Sequence, residues 1–183
     1  TMENIYGKRI KLDIYGGSHD EKIGMTLDGI PVGETIDFDE LRAFMARRAP
    51  GNDPYSTKRK EPDEPVFLSG ISGNATTGGR IEAVIYNQNQ RSGDYSSLAD
   101  TPRPSHADYA AIMKYGREVD LRGGGHFSGR LTAPMCIAGG ICLQILARKG
   151  IHIGAHIYSV GNVQDRPFDP VNVSKRDLDI LHC

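Results

Sequence analysis

Alternating and short apolar patterns predict five strands along the chain. Polar and apolar residues alternate over 8–15 and again over 151–160, as they do in half-buried strands. Shorter apolar runs at 23–27, 66–68 and 80–86 predict three more strands. The last two runs are separated by the glycine-rich sequence GNATTGG, for which we expect a turn.

Helical signals occur in four segments, and the clearest one begins at Asp37. Glu40 follows Asp37 by three residues, as in a capping box, and Leu41, Phe44 and Met45 then share one face. The other predicted helices are 106–115, a buried helix at 131–149 with Pro134 in its first turn and Gly150 after its end, and 174–182 with Ser174 and Asp177 as a capping pair. The strands and helices follow one another without a regular strand–helix–strand repeat, which favours an α+β domain over a doubly wound parallel sheet.

Composition and charge restrict the class of protein further. The 183 residues are enough for one domain or the larger part of one, and 22 Lys and Arg against 23 Asp and Glu leave a net charge of -1. This balance argues against nucleic-acid binding and against a polybasic membrane arm. The N-terminus lacks the pattern of a secretion signal, and we find no apolar run approaching the ~18 residues of a membrane span.

The cysteines indicate a reducing compartment. There are three of them and no CxxC pair, which does not fit a disulfide framework. Cys136 and Cys142 lie in an apolar stretch, where we expect them to be buried as small apolar side chains. We therefore expect a cytoplasmic protein.

The candidate chemistry lies in loops that join Gly or Ser to Arg, Lys or His. Arginine offers a planar fork of donors to carboxylates and phosphates, and glycine lets backbone N–H groups approach an anion closely. Histidine can transfer a proton near neutral pH. Converging loops of this kind would form a pocket for a small polyanion. The segments are GGSHD (16–20), ARRAPGN (46–52), STKRKE (56–61), NQRSGDY (89–95), RPSHADY (103–109) and RGGGHFSGR (122–130).

Each of these features taken alone also has a structural explanation. Arg47 and Arg48 end a predicted helix, where cations complement the dipole, and His19 can be an ordinary loop residue. Neither a dinucleotide-binding nor a P-loop motif occurs. Of the six histidines, His152 and His156 would lie about 13 Å apart in a strand, too far to share one ion. HExxH is also absent, so we expect no metal site.

Eight motifs in a fixed order resemble the chorismate synthase family over about residues 6–165. Each motif alone is weak, but their order and register are specific. The motifs are GGSHD, RRAPG, TKRKEPD with FLSG, TTGG, NQRSGDYS, RPSHADY with KYG, RGGGHFSGR and GIHIGAHIYSVG.

This resemblance implies a fold and a reaction. The family has a β-α-β sandwich fold and forms homotetramers. It converts 5-enolpyruvylshikimate 3-phosphate to chorismate by an anti 1,4-elimination of phosphate that needs reduced FMN. Family members are roughly twice as long, so the resemblance implies that residues 1–183 are the N-terminal portion of a single domain, whose sandwich is incomplete here. It implies no nucleic-acid or membrane partner.

The resemblance also assigns roles to individual residues. His19 matches the histidine that donates a proton beside the leaving phosphate, and His106 matches the histidine placed to protonate reduced flavin. These two are the expected catalytic residues. The expected substrate-binding residues are Arg48, Arg103, Ser128 and Arg130, and the expected flavin-binding residues are His106, His126, Phe127 and Ser128.

The chain departs from the usual family pattern at several loop positions. Gly17, Asp20, Ala49, Pro54 and Ser105 stand where the family usually has Glu, Gly, Arg, Arg and Gly. Both histidines are kept, but we do not predict the NADPH-linked flavin reduction of some members. Two alternatives stay open at this point. The chain can be a catalytically incomplete fragment that acts as an anion-binding or assembly module, or it can be a metalloprotein.

Overall fold

The structure is a computed structural model that describes residues 5–48, 63–87, 101–169 and 171–179. The chain forms two compact units, residues 1–142 and 143–183. Some expectations from the sequence fall outside the described residues. They concern 51–62, 88–100, 180–182, Ala49 and Pro54. In chain order the elements are β1 (Lys11–Tyr15), β2 (Lys22–Asp28), α1 (Phe38–Arg48), β3 (Val66–Ser69), β4 (Ile71–Ser72), β5 (Ala75–Thr76), β6 (Ile81–Tyr86), α2 (Asp108–Tyr115), α3 (Thr132–Arg148), β7 (Ser159–Val160), β8 (Val163–Gln164) and α4 (Lys175–Asp179).

The first unit is built on a four-stranded antiparallel sheet in the order β1-β2-β6-β3. Directly paired apolar residues of β2 and β6 form its core face, because alternate residues of a strand share a face. These pairs are Ile23 with Ile85, Met25 with Ala83 and Leu27 with Ile81, and all six are buried. The predicted strands 23–27, 66–68 and 80–86 are confirmed, and the strand predicted at 8–15 begins at Lys11.

The opposite face of the sheet carries mostly polar side chains, with Val84 as a buried apolar exception. Tyr15 lies across Gly24 of the neighbouring strand, where an added Cβ would come within 2.5 Å of its ring. Its hydroxyl donates a 2.6 Å hydrogen bond to Glu82 one strand further on. Burial and the Glu82 carboxylate raise the pKa of Tyr15 above its ordinary value. Tyr15 therefore stays a neutral donor and ties together three strands.

Helix α1 begins where the sequence predicts. The carboxylate of Asp37 accepts hydrogen bonds from the backbone N–H groups of Asp39 and Glu40, both at 2.9 Å. Leu41 and Met45 are buried, and Phe44 is half-buried. A Cβ on Gly140 would lie 2.5 Å from Leu41 Cδ1. Helices α1 and α3 therefore touch at a position that only glycine fits without a shift.

The remaining helices agree with the sequence in type but differ at their ends. Helix α2 begins at Asp108 instead of His106, because Arg103 to Ala107 form a turn that the Asp108 carboxylate holds. The predicted helix at 131–149 is confirmed as α3. Its cysteines, Cys136 and Cys142, are free and half-buried, and burial raises the pKa of both thiols.

One expectation about membranes needs correction. The segment Gly129–Arg148 is long and apolar enough to cross a membrane by length and composition, although we expected no such run. Half of that window is buried within the protein. Core helices of soluble domains have the same composition, so the segment is weak evidence for a membrane span.

One local prediction in the first unit is incomplete. GNATTGG is more than a turn, because β4 and β5 form a hairpin within it and just before it. Each strand has only two residues, too few for a visible alternation. In the glycine-rich loop 122–130, short 3₁₀ turns at Arg122–Phe127 and Gly129–Leu131 occur, and the first is interrupted by non-helical backbone at its three consecutive glycines.

The second unit contains the clearest error. Alternation predicts a strand over 151–160, but only Ser159–Val160 is a strand, paired with β8. The apolar positions Ile151, Ile153 and Ile157 are 50–74% exposed. Alternation shows that a segment suits a sheet, whereas a strand also needs a neighbour to supply hydrogen bonds. The predicted capping pair of α4 is confirmed, since Ser174 and Asp177 each accept from the other's backbone N–H.

Candidate functional site

The site is built around the glycine-rich loop 122–130. Gly123, Gly124 and Gly125 have φ values of 57°, 95° and 54°, a run of left-handed conformations that favours glycine. Ser18 is buried against this loop. Its backbone N–H donates to the Gly125 carbonyl at 3.2 Å, and its hydroxyl lies 3.1 Å from the Arg122 carbonyl oxygen. The GGSHD and RGGGHFSGR motifs therefore meet in the fold.

His19 lies directly on the glycine-rich loop. A Cβ added to Gly123 would come 2.3 Å from Nε2 of His19 and 3.0 Å from the Ser18 hydroxyl. The imidazole therefore packs against the Gly123 backbone, and a larger residue there would displace it. His126 adds a second link between the two motifs, since its Nδ1 lies 3.0 Å from the Gly16 carbonyl oxygen.

Asp120 and Arg122 supply charge beside His19. The Arg122 guanidinium donates through Nε and Nη2 to the Asp120 carboxylate, at 2.6–3.0 Å. These bonds lower the pKa of Asp120 more than any other cause, and the electrostatic effect of nearby His19 contributes a smaller lowering. Asp120 is therefore ionised at neutral pH and lies within electrostatic range of His19.

Arg103 and Asp108 join the RPSHADY turn to the same loop. Arg103 Nε and Nη2 donate to the two carboxylate oxygens of Asp108 at 2.7 and 2.9 Å, and the Arg103 backbone N–H adds a bond of 3.0 Å. Asp108 is only 1% exposed. Arg103 Nη2 also donates to the Leu121 carbonyl at 2.9 Å. The loops that carry His19 and His106 thus meet at residues 120–121.

His106 lies in the exposed part of this turn. Ser105 precedes it with a φ of 62°, and among the described residues it is the one non-glycine residue with positive φ. The Arg103 bonds are the main cause of the lowered pKa of Asp108, and the charge of His106 adds a smaller effect. His106 is therefore within electrostatic range of Asp108.

Arg48 and Arg130 converge on one buried carboxylate. Nη1 of Arg48 and Nη1 of Arg130 each donate to a different oxygen of Asp63, whose side chain is 2% exposed. Arg48 Nε donates to the Thr132 hydroxyl at 2.9 Å, and that hydroxyl donates to the Gly129 carbonyl at 2.6 Å. We call Arg48, Arg130 and Asp63 the arginine pair with its carboxylate.

Asn87 connects this cluster to the GGSHD loop. Its side-chain oxygen accepts from Arg130 Nε at 3.1 Å, and its amide nitrogen donates to the Asp20 carbonyl at 2.7 Å. Its backbone N–H donates to the Glu21 carbonyl at 2.9 Å. Asn87 directly follows β6, so the sheet fixes the position of the amide between the two loops.

A cavity of about 610 Å³ is bordered by residues between His126 and Met135. Such a volume falls in the range of small-molecule clefts, roughly 300–1,000 Å³. Polar groups of His126, Ser128 and Thr132 border the apolar walls. Thr132 also binds Arg48, and the Ser128 hydroxyl accepts from the Arg130 backbone N–H at 3.2 Å. The cavity and the arginine pair are therefore neighbours. The apolar lining consists of Tyr6, Leu12, Ile14, Leu131 and Met135.

The structure brings the residues singled out in the sequence into three groups. His19 lies with the glycine-rich loop, Arg48 lies with Arg130, and Arg103 lies with His106 on the turn anchored to Leu121. Phe127 points elsewhere: it is 41% exposed and its ring packs near Tyr115 and His126, at 6.1 and 5.9 Å between ring centroids. Within the described ranges, no three His, Cys, Asp or Glu side chains are placed to hold a metal ion.

Sequence reasoning did not single out the partners of the cations. Four residues hold the three arginines in place through hydrogen bonds. Asp63 binds both Arg48 and Arg130, Thr132 binds Arg48, Asn87 binds Arg130, and Asp108 binds Arg103. Asp63 ends the TKRKEPD motif and Asp108 lies in RPSHADY, so the motifs contained both acids. Nothing in the sequence distinguishes Asp63 from its charged neighbours, because its pairing depends on residues 15 and 67 positions away.

Comparison with known proteins identifies the family. Residues 10–180 match the family described as chorismate synthase. The chain is 47% identical over 174 residues to the chorismate synthase of Lancefieldella parvula, covering 94% of this chain and 46% of that protein. It is 43% identical over 181 residues to that of Flavobacterium psychrophilum, covering 98% and 50%.

A solved crystal structure of chorismate synthase has a similar fold. Its TM-score is 0.62 at 23% identity, over 86% of this chain and 40% of that one. The α+β fold class predicted from the sequence is thereby confirmed. The chain spans about half the length of the curated relatives it matches. The match over nearly all of this chain shows that it belongs to the chorismate synthase family.

Proposed function

We propose that the chain supplies part of the active site of a chorismate synthase in the pathway to aromatic amino acids. The reaction is the elimination of phosphate from 5-enolpyruvylshikimate 3-phosphate. The carbon–oxygen bond to phosphate breaks, a ring hydrogen is lost and the ring gains a double bond, with no net redox change. The convergence of Arg48 and Arg130 beside the His19 loop is the observation that carries this proposal.

The charge of the site suits the substrate. This substrate carries one phosphate and two carboxylates, and guanidinium groups bind such oxygens through paired hydrogen bonds. The arginine pair with its carboxylate has a formal charge of +1 and is largely shielded from water. Electrostatic attraction is stronger in such a setting than at an exposed surface. We assign Arg48 and Arg130 to the anionic groups of the substrate, with the Ser128 hydroxyl beside them.

His19 is the proposed proton donor to the leaving phosphate. Its ring is held against Gly123, next to the ionised Asp120. A proton donated there would neutralise charge that develops on the departing oxygen. Arg103 is proposed to bind substrate as well, although its Nε and Nη2 already bond to Asp108 and Leu121.

The described residues fit a flavin. The cavity beside residues 128–132 has apolar walls for a planar ring and a polar border that includes His126 and Ser128. These two would contact reduced FMN. Phe127 does not line the cavity, so its expected flavin contact stays a prediction, and His106 is proposed to hold a proton near the flavin. Reduced FMN supplies electron density to the elimination when bound. The role of the chain is to position the ring, exclude water and hold protons at His19 and His106.

Activity and flavin binding test the proposal together. The protein at its natural length should release phosphate and chorismate from the substrate with reduced FMN under anaerobic conditions. Equilibrium dialysis should then show whether the 183 residues bind FMN alone. No turnover by the longer protein would contradict the proposal. No FMN binding by the chain, with turnover by the longer protein, would support the view of the isolated chain as an incomplete module.

The assembly and location belong to the same proposal. We propose a cytoplasmic homotetramer at natural length, because the family forms tetramers and the motifs match it. Size-exclusion chromatography with light scattering should give four times the monomer mass of the protein at that length. A stable monomer with full activity would contradict this assembly.

A further inference from the structure

We propose that Asp63 is a positioning residue that presents Arg48 and Arg130 to the anionic groups of the substrate. This inference rests on the proposed function, since it assumes that the two arginines bind that substrate. Asp63 itself touches neither substrate nor flavin in the proposal. It acts only through the two guanidinium groups.

The geometry of the carboxylate supports this role. Each Asp63 oxygen accepts from a different arginine, so one planar group sets the spacing and orientation of both. The arginines come from distant parts of the fold, the end of α1 and the turn before α3. Without the carboxylate, two neighbouring guanidinium groups would repel each other in a poorly solvated place. Asp63 therefore allows two cations to stand side by side before the substrate arrives.

Further contacts make the arrangement rigid. Thr132 holds Nε of Arg48, and Asn87 holds Nε of Arg130. Each guanidinium is thus fixed at one edge by a neutral group and at another by Asp63. Arranged in this way, the pair loses little conformational freedom when an anion binds. This explains why an acid is useful inside a site that must attract acids.

The test is steady-state kinetics of Asp63→Asn in the protein at its natural length. We expect KM for the substrate to rise by about 10- to 100-fold while kcat changes little, because misplaced arginines weaken ground-state and transition-state binding alike. A merely structural role would lower the amount of active enzyme and leave KM unchanged. Asp28→Asn is the matched control, because Asp28 pairs with Arg80 on an exposed part of the sheet.

A second variant covers the case in which Asp63→Asn does not fold. Asp63→Glu keeps the charge but moves the carboxylate by one methylene, so KM should rise less than in Asp63→Asn and above the control. An unchanged KM in folded Asp63→Glu or Asp63→Asn would overturn the role of Asp63. If the unaltered protein shows no turnover, the proposed function is contradicted, whatever the role of Asp63. In that case calorimetric binding of inorganic phosphate should still weaken in Asp63→Asn, and equal binding would overturn the inference.

Discussion

The imidazole of His19 rests on the backbone of Gly123, so closely that a methyl group on Gly123 would come 2.3 Å from Nε2. The two residues are 104 positions apart in the chain, and the contact joins the motif that carries the proposed acid to the motif that carries an arginine of the site. It explains why the glycine run in the loop is more than a flexible turn.

Gly123→Ala should displace His19 and impair catalysis. The added Cβ collides with the ring, and the left-handed backbone adds strain of about 1–2 kcal/mol. We expect kcat to fall by about 10²- to 10⁴-fold, the range for loss of a general acid. Gly129→Ala is the control, because nothing lies within 4 Å of the added methyl group. Equal kcat values for the two variants would contradict the placement of His19.

Ser105→Gly should stabilise the protein. Ser105 has a φ of 62°, which costs a non-glycine residue about 1–2 kcal/mol. Glycine relieves that strain but adds about 0.4–1 kcal/mol of entropy to the unfolded chain. The free energy of unfolding should therefore rise by about 0.5 kcal/mol, measured by urea denaturation. Ser72→Gly, in strand β4 without positive φ, should lower it instead. A loss of stability in Ser105→Gly would show that the turn is unstrained.

Gly140→Ala and its neighbour Gly139→Ala should have opposite effects on stability. At Gly140 the methyl group meets Leu41 at 2.5 Å and Phe44 at 3.1 Å, so overpacking should cost about 1–3 kcal/mol. At Gly139 nothing lies within 4 Å, and the higher helix propensity of alanine should add about 0.5–1 kcal/mol. Thermal unfolding of both variants measures the difference. Two equal shifts of Tm would refute the close approach of α1 and α3.

Asp108→Asn should be strongly destabilising. The change leaves the partly buried Arg103 without its charge partner, which typically costs about 3–5 kcal/mol. The exposed control Asp28→Asn should cost about 1 kcal/mol or less. Urea titration of both variants gives the two values. A small loss for Asp108→Asn would mean that the RPSHADY turn does not depend on this pair.

Acid should weaken the fold through Asp108 and Asp120. The pKa of each is lowered in the folded chain, mainly by hydrogen bonds from Arg103 and Arg122. Below the ordinary aspartate pKa of about 3.9, these two carboxylates become protonated in the unfolded chain but stay ionised in the folded chain. The two aspartates therefore contribute fully to the free energy of unfolding above that pH. This contribution is lost as the pH falls towards their pKa values in the folded chain. Unfolding free energies measured from pH 6 down to pH 2 should decline, and less so in Asp108→Asn.

Most of the elements of the first unit could be predicted from the sequence because their signals are local. Asp37 caps α1 through atoms two and three residues away, and the long apolar stretch of α3 can be recognised without knowing its partners. The hairpin β4–β5 is too short to show a period. The strand expected at 151–160 failed because its hydrogen bonds would have to come from elsewhere in space.

The composition of the loops predicted an anion site but not its internal pairing. Arginines 48, 103 and 130 were identified as cations, and the structure shows that Asp63 and Asp108 determine where they point. By charge alone, any Asp or Glu in the chain could pair with one of these arginines. Only the fold decides which of them is within hydrogen-bonding distance.

By itself the sequence determined the family, the types of most elements and the loops that carry cations, glycines and histidines, because each is encoded by neighbouring residues. The tertiary structure alone decided that His19 lies on Gly123, that two arginines share Asp63, and that a cavity is lined in part by Ser128 and Thr132. The physical reason is that such contacts depend on how distant segments pack around the sheet. Packing depends on shape and burial in three dimensions, which a local pattern does not record.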